Sequence, residues 1–153
     1  MKIIYAGIQY SFYKKEAGLS FEHNNFYLSL KDFPGVEIRY FPFDRILEVG
    51  KKKFNDELFE AVKSWQPDLL FVFMLTDEVS KRTLERVGKE TQTKTLAWFS
   101  DDTWRFWSYS KQCRAYFYCN RLRIASLLKP INHLMQMKFS LLRINVIRYM
   151  IHV

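Results

Sequence analysis

The chain has 153 residues, of which 48% are hydrophobic and 18% aromatic. This length accommodates one ordinary domain and the composition supplies a core, which excludes two large domains and wholesale disorder. The net charge of +8 is unevenly placed: residues 1–111 contain 17 Lys and Arg and all 16 acidic residues, so the basic excess lies in residues 112–153. We therefore expect no specific nucleic-acid partner.

Targeting and metal signals are weak. The two cysteines, Cys113 and Cys119, are too few for a disulfide framework, and the scattered histidines make no metal site with them. The apolar run at residues 1–8 is too short for a signal peptide, and no stretch approaches the ~18 to 20 apolar residues of a transmembrane helix. We expect a soluble cytoplasmic protein with no metal and no transmembrane segment.

The first third of the chain reads as strand, helix, strand. Residues 2–8 form a continuous apolar run, which is typical of a strand buried on both faces. Apolar residues at helical spacing then predict a helix over residues 22–30, with Ser20 as its cap and Glu22 as first-turn negative charge. Residues 36–41 alternate, which predicts a second strand in an outer place of the sheet.

The next segments repeat this order. Apolar residues at i, i+4, i+7, i+8 and i+11 mark a helix over residues 54–65, and residues 68–73 form the clearest strand. A third helix is predicted over residues 79–89, broken near Gly88, and a fourth strand over residues 94–99. Because strands alternate with helices, the sequence predicts an α/β fold with a Rossmann-like open parallel sheet flanked by helices.

Residues 112–153 differ in kind. They contain no Gly and no acidic residue, and their apolar residues follow neither a helical nor a strand period. We therefore divide the chain into a Rossmann-like domain at residues 1–111 and a basic, acid-free, poorly ordered tail at residues 112–153.

Ligands of open α/β sheets bind beyond the carboxyl ends of the strands. The loop after the first strand, residues 9–24, has no Gly-x-Gly-x-x-Gly sequence, which disfavours a dinucleotide site. It contains His23, whose imidazole could take a proton from an attacking sugar hydroxyl. The alternative is a surface histidine in the first turn of a helix.

The loop after the third strand holds Asp77 and Glu78. Neighbouring carboxylates can bind sugar hydroxyls or act as acid and base. They can equally cap the following helix, where negative charge is favoured.

The loop after the fourth strand is the most informative stretch. Its members Asp101, Asp102 and Trp104 combine carboxylates with a large ring, which suits a carbohydrate cleft, and Arg105 could meet a phosphate. The alternative is that Asp101 caps a short helix while the tryptophans pack in the core. For Trp98, inside the strand, the core is favoured.

A family resemblance rests on three segments: Pro67-Asp68-Leu69-Leu70, Leu75-Thr76-Asp77-Glu78 and Trp98-Phe99-Ser100-Asp101-Asp102-Thr103-Trp104-Arg105-Phe106. They resemble the N-terminal region of CgeB-like glycosyltransferases, which are related to the spore maturation protein family, over about residues 1–111. The resemblance implies a GT-B fold, in which two Rossmann-like domains face a cleft. It also implies that this domain shapes the acceptor side, and that a C-terminal domain grips a nucleotide-sugar donor.

The resemblance stops after residue 111. Codons permitted for residues 113–117, read one nucleotide later, can encode Ala-Ala-Pro-Ile-Phe, close to the family pattern, so the tail reads as a frameshift product. We thus expect a truncated glycosyltransferase, inactive alone, that binds no cofactor, with a nucleotide sugar as the donor substrate of the intact family. Its expected partners are a sugar or glycan acceptor and a separately encoded C-terminal half. The alternatives are a non-catalytic sugar- or nucleotide-binding module, or a binder of anionic surfaces through the tail.

Overall fold

The computed structural model describes residues 1–100, which form a layered α/β arrangement. Its strands are β1 (Lys2–Gly7), β2 (Glu37–Pro42), β3 (Leu69–Met74) and β4 (Lys94–Phe99). Its helices are α1 (residues 21–31), α2 (Arg45–Val49), α3 (Lys51–Trp65) and α4 (Lys81–Glu90). The four strands are all parallel and lie in the order β2-β1-β3-β4, which confirms the predicted Rossmann-like open sheet.

Helices cover both faces of this sheet. One face contributes Ile4, Leu70 and Val72 to a core that also contains Phe54 and Leu58 of α3. The core is completed from α3 and α4 by Val62, Leu84 and Val87. Because alternate residues of a strand point to opposite faces, the neighbouring strand residues face the other side, where α1 packs.

On that second face, Phe26 of α1 is fully enclosed by rings from three strand positions. Its centroid lies 5.9 Å from Phe71, 5.0 Å from Phe73 and 5.7 Å from Trp98. Trp98 is half-buried in these contacts, which agrees with its predicted place in the core. A large aromatic cluster therefore fixes α1 against the sheet.

The strand order reverses between β1 and β3. From β1 the chain crosses to β2 on one side, then returns over β1 to β3 and β4 on the other. Right-handed crossovers in opposite directions place their helices on opposite faces and leave a crevice beyond the carboxyl ends of β1 and β3. This crevice is where a ligand of such a sheet binds.

The helix after β3 differs from the sequence prediction at two points. The last predicted helix begins at Lys81 rather than at residue 79, because the Ser80 hydroxyl caps it by accepting the amide of Thr83 at 3.2 Å. The helix runs through Gly88 to Glu90, so the predicted break is wrong. A helical glycine costs about 1 kcal/mol, which burial of the apolar face of α4 offsets.

Several short helical elements were not predicted from the sequence. α2 and two 3-10 turns, Ser11–Tyr13 and Lys15–Ala17, were not predicted, and the middle of α1, His23–Tyr27, is a π-helical turn. The exposed lysines at residues 51–53 form the first turn of α3, which therefore begins three residues before its predicted start. Within residues 1–100, no helix is long and apolar enough to cross a membrane.

Candidate functional site

The loop between β3 and α4 folds around the carboxylate of Glu78, which is only 5% exposed. The backbone amide of Thr76 donates to both carboxylate oxygens, at 2.9 and 2.8 Å, and the Thr76 hydroxyl donates to Oε1 at 2.6 Å. These bonds turn the carboxylate back into its own loop. Since Ser80 caps α4, the capping alternative for Glu78 is wrong.

Glu78 also links two loops across the crevice. The Tyr13 hydroxyl, from the loop after β1, donates to Glu78 Oε1 over 3.4 Å. Burial and the neighbouring Glu78 carboxylate both raise the pKa of Tyr13, which keeps the phenol protonated as a donor. Loops that follow β1 and β3 therefore meet at the predicted ligand edge.

Asn55 of α3 binds the loop between β3 and α4 through its side-chain amide. Its side-chain nitrogen donates to the Glu78 carbonyl at 2.9 Å, and its oxygen accepts the Ser80 amide and the Thr83 hydroxyl, each at 2.8 Å. The side chain is 5% exposed. A buried amide that satisfies both its donor and acceptor groups fixes the conformation of the loop.

Asp77 has a different environment from its neighbour. Its side chain is 62% exposed and forms an ion pair with Lys51 at the start of α3. Surface ion pairs contribute about 0 to 1 kcal/mol, so this one holds Asp77 only weakly. Asp77 is thus open to solvent at the carboxyl edge and does not cap α4.

His23 lies in the first turn of α1, where the Ser20 hydroxyl accepts its backbone amide at 3.0 Å. Its ring is packed between Tyr27 and Tyr40, with centroids 5.0 and 5.2 Å away, and the residue is only 6% exposed. The surface alternative is therefore wrong. Within the described part of the chain, the buried Nδ1 atom has no hydrogen-bond partner.

Burial lowers the pKa of His23, the Asp44 carboxylate opposes this shift, and Lys31 adds to it. The lowered pKa favours the neutral imidazole, the protonation state that a general base requires. The rings around His23 come from α1 and β2, however, whereas Glu78 contacts the loop after β1 and its own loop. His23 and Glu78 thus occupy separate parts of the edge.

The loop after β1 presents an aromatic ring to solvent and is closed by backbone hydrogen bonds. An antiparallel bridge joins Tyr10 to Leu19, and the Ser11 amide donates to the Gly18 carbonyl at 3.0 Å. Phe12 at its tip has a left-handed φ of 56° and is 83% exposed. Non-glycine residues rarely adopt such values, and where they do the conformation often serves a ligand.

Asp44, which follows β2, also belongs to this edge. Its two carboxylate oxygens accept the backbone amides of Gln9 and Tyr10, at 2.6 and 3.2 Å. Sequence reasoning considered the loops after β1, β3 and β4 and missed this residue. The available signal was an aspartate directly beyond a predicted strand.

The remaining predicted site residues, Asp101, Asp102, Trp104 and Arg105, lie outside the described residues. The structure thus joins Tyr13 to Glu78, leaves Asp77 exposed and buries His23 elsewhere on the edge. Among residues 1–100, no group of three or more His, Cys, Asp or Glu side chains is arranged to hold a metal ion.

The chain was compared with protein-family models, with curated proteins and with solved structures, and none of them matched.

Proposed function

We propose that this chain supplies the acceptor-binding half of a nucleotide-sugar-dependent glycosyltransferase. In this proposal the carboxyl edge of the sheet holds a sugar or glycan, whose hydroxyl group is the acceptor. A second domain grips the donor, so the chain by itself does not transfer sugar. The observation that carries the proposal is an exposed ring, Phe12, in the loop after β1, whose next residue, Tyr13, contacts the loop after β3 at Glu78.

The chemistry of this edge suits a carbohydrate. Flat aromatic rings pack against the apolar face of a pyranose, and Phe12 presents such a ring on an ordered loop. Asp77 offers exposed carboxylate oxygens that can accept hydrogen bonds from hydroxyl groups. The sequence places two more carboxylates, Asp101 and Asp102, directly after β4.

Not every residue of the edge contacts the sugar in this proposal. Glu78 is already bonded to Thr76 and Tyr13, so it shapes the loops instead. His23 remains the candidate base, and its neutral ring supports that role. A base must also reach the acceptor hydroxyl, which for a residue 6% exposed requires movement of the tyrosines around it.

The test is binding of the full chain to a panel of uncharged mono- and oligosaccharides, measured by saturation-transfer NMR and calorimetry. We expect saturable binding that Phe12→Ala abolishes. Leu47→Ala is the matched control, because Leu47 is 70% exposed in α2 but has no ring to stack on a sugar. Failure of every saccharide to bind, or equal losses in both variants, would refute the proposal.

Two alternatives give different results in the same experiments. Release of nucleoside diphosphate from a nucleotide sugar by this chain alone would contradict a division of labour between two domains. Binding of anionic lipid vesicles that weakens steeply with added salt would favour the acid-free residues 112–153 as the functional surface.

A further inference from the structure

In parallel α/β sheets the loop after β1 is the usual position for a phosphate. Its backbone amides and the start of the next helix supply hydrogen-bond donors and positive potential. In this chain two of those amides, of Gln9 and Tyr10, already donate to a carboxylate of the protein, that of Asp44. The nearer bond, from Gln9, is 2.6 Å long.

The orientation of Asp44 is unusual for its position. It directly precedes α2, where an aspartate ordinarily accepts an amide of its own helix. The Asp44 side chain makes no such cap bond. It accepts instead an amide of Gln9, 35 residues earlier in the chain, so the carboxylate binds the loop after β1 and not the start of α2.

Two other backbone donors in the described part of this edge are also occupied. The Thr76 amide, beyond β3, donates to both oxygens of Glu78. At the start of α1, the Ser20 hydroxyl accepts the His23 amide, and Glu22 adds a negative charge in the first turn. Among residues 1–100, each of the four amides named above therefore already donates to a carboxylate or a capping hydroxyl.

We propose that Asp44 is a built-in anion that fills the phosphate position of the loop after β1. The part of the edge beside β1 then accepts uncharged, hydroxyl-rich molecules and rejects phosphate-bearing ones, because a phosphate there would have to displace Asp44 and approach Glu78 and Glu22. The uncharged ligand rests on the proposed function, whereas the occupation of the loop amides is a property of the chain itself and is tested alone.

The experiment is a titration of the ¹⁵N-labelled full chain with inorganic phosphate, followed through the amide resonances of Gln9 and Tyr10. In the wild type we expect no saturable shift of either resonance. Asp44→Ala frees both amides, so both resonances should shift saturably, with a phosphate affinity about ten- to a hundredfold above the upper limit set by the wild type, the gain of a charged hydrogen bond. Asp77→Ala is the matched control, because it removes one negative charge from the same edge and frees no loop amide.

Asp44→Asn keeps an acceptor oxygen but removes the charge, and we expect phosphate affinity between those of the wild type and Asp44→Ala. If Asp44→Ala does not fold, the same phosphate titration is carried out on Asp44→Asn. Saturable phosphate shifts at Gln9 and Tyr10 in the wild type would overturn the proposal. Equal gains in Asp77→Ala and the Asp44 variants would also overturn it, since net charge alone would then explain them. This titration does not involve saccharides. A failure of saccharides to bind would therefore count against the proposed function and not against the role of Asp44.

Discussion

Removal of the Asn55 side-chain amide should be one of the most damaging polar substitutions in the described part of the chain. Asn55→Ala leaves the Glu78 carbonyl and the Ser80 amide without the partners that now lie 2.9 and 2.8 Å away. The Thr83 hydroxyl retains its contact with the Ser80 hydroxyl at 2.9 Å. Two backbone groups are therefore left unsatisfied at a buried position.

An unsatisfied buried group costs about 1 to 3 kcal/mol, so Asn55→Ala should lower the free energy of unfolding by roughly 2 to 5 kcal/mol. For a chain of this length that corresponds to a fall of about 5 to 15 °C in Tm. The measurement is urea unfolding followed by circular dichroism, with a thermal melt as a second readout.

Asn25→Ala is the matched control. Asn25 also donates to a backbone carbonyl, that of Phe21, at 2.9 Å, but the bond is exposed and lies within α1. Water replaces such a bond and alanine favours the helix, so the change should be below about 1 kcal/mol in either direction. Similar losses in the Asn55 and Asn25 variants would refute the claim that the buried amide network holds the loop between β3 and α4.

Gly7→Ala should cost about 1 to 3 kcal/mol, because its Cβ would lie 2.7 Å from the hydroxyl oxygen of the buried Tyr5; Tyr5→Phe in that background should restore part of the loss in urea unfolding. Burial lowers the pKa of His23 in the folded state below the ~6.5 of the unfolded chain, so the unfolded state binds the proton more readily. The contribution of His23 to folding stability is therefore complete above about pH 6.5 and declines as the pH falls below about 6.5. His23→Gln should remove this component, so a difference in unfolding free energy that stays constant from pH 7.5 to about 5.5 would contradict it. Glu78→Gln should lower stability by about 1.5 to 3 kcal/mol, because an amide nitrogen would face the backbone amide that now donates to both oxygens, whereas Asp77→Ala should stay within about 0.5 kcal/mol; equal melts of the two variants would refute this contrast.

Hydrophobic periodicity was sufficient to predict the sheet and its crossover helices. Strands buried on both faces are continuous apolar runs, and β4 occupies the predicted residues 94–99. The Ser20 cap was also predictable, because the residues that stabilise a helix start are local in sequence. Local signals thus identified most elements and the edge at which the loops meet.

The roles of individual site residues were much less predictable. Asp44 and Asn55 act on segments 35 and 23 residues away, and no local pattern encodes such contacts. His23 is buried in part by Tyr40, which packs against it from β2. Asp77 and Glu78 are adjacent in a loop without periodicity, so the sequence could not tell which carboxylate turns inward.

The sheet order also has a consequence for synthesis on the ribosome. β1 emerges first, yet its partners are β2, which begins at Glu37, and β3, which begins at Leu69. At ~5 to 20 residues per second, this buried apolar strand waits about 3 to 13 s for β3, and a two-stranded β1–β2 pair is marginal by itself. During that interval its apolar side chains lack their partner strand, and transiently exposed apolar surface of this kind favours aggregation. The soluble yield of this protein should therefore depend on expression temperature and chaperone supply more than on the stability of the finished fold.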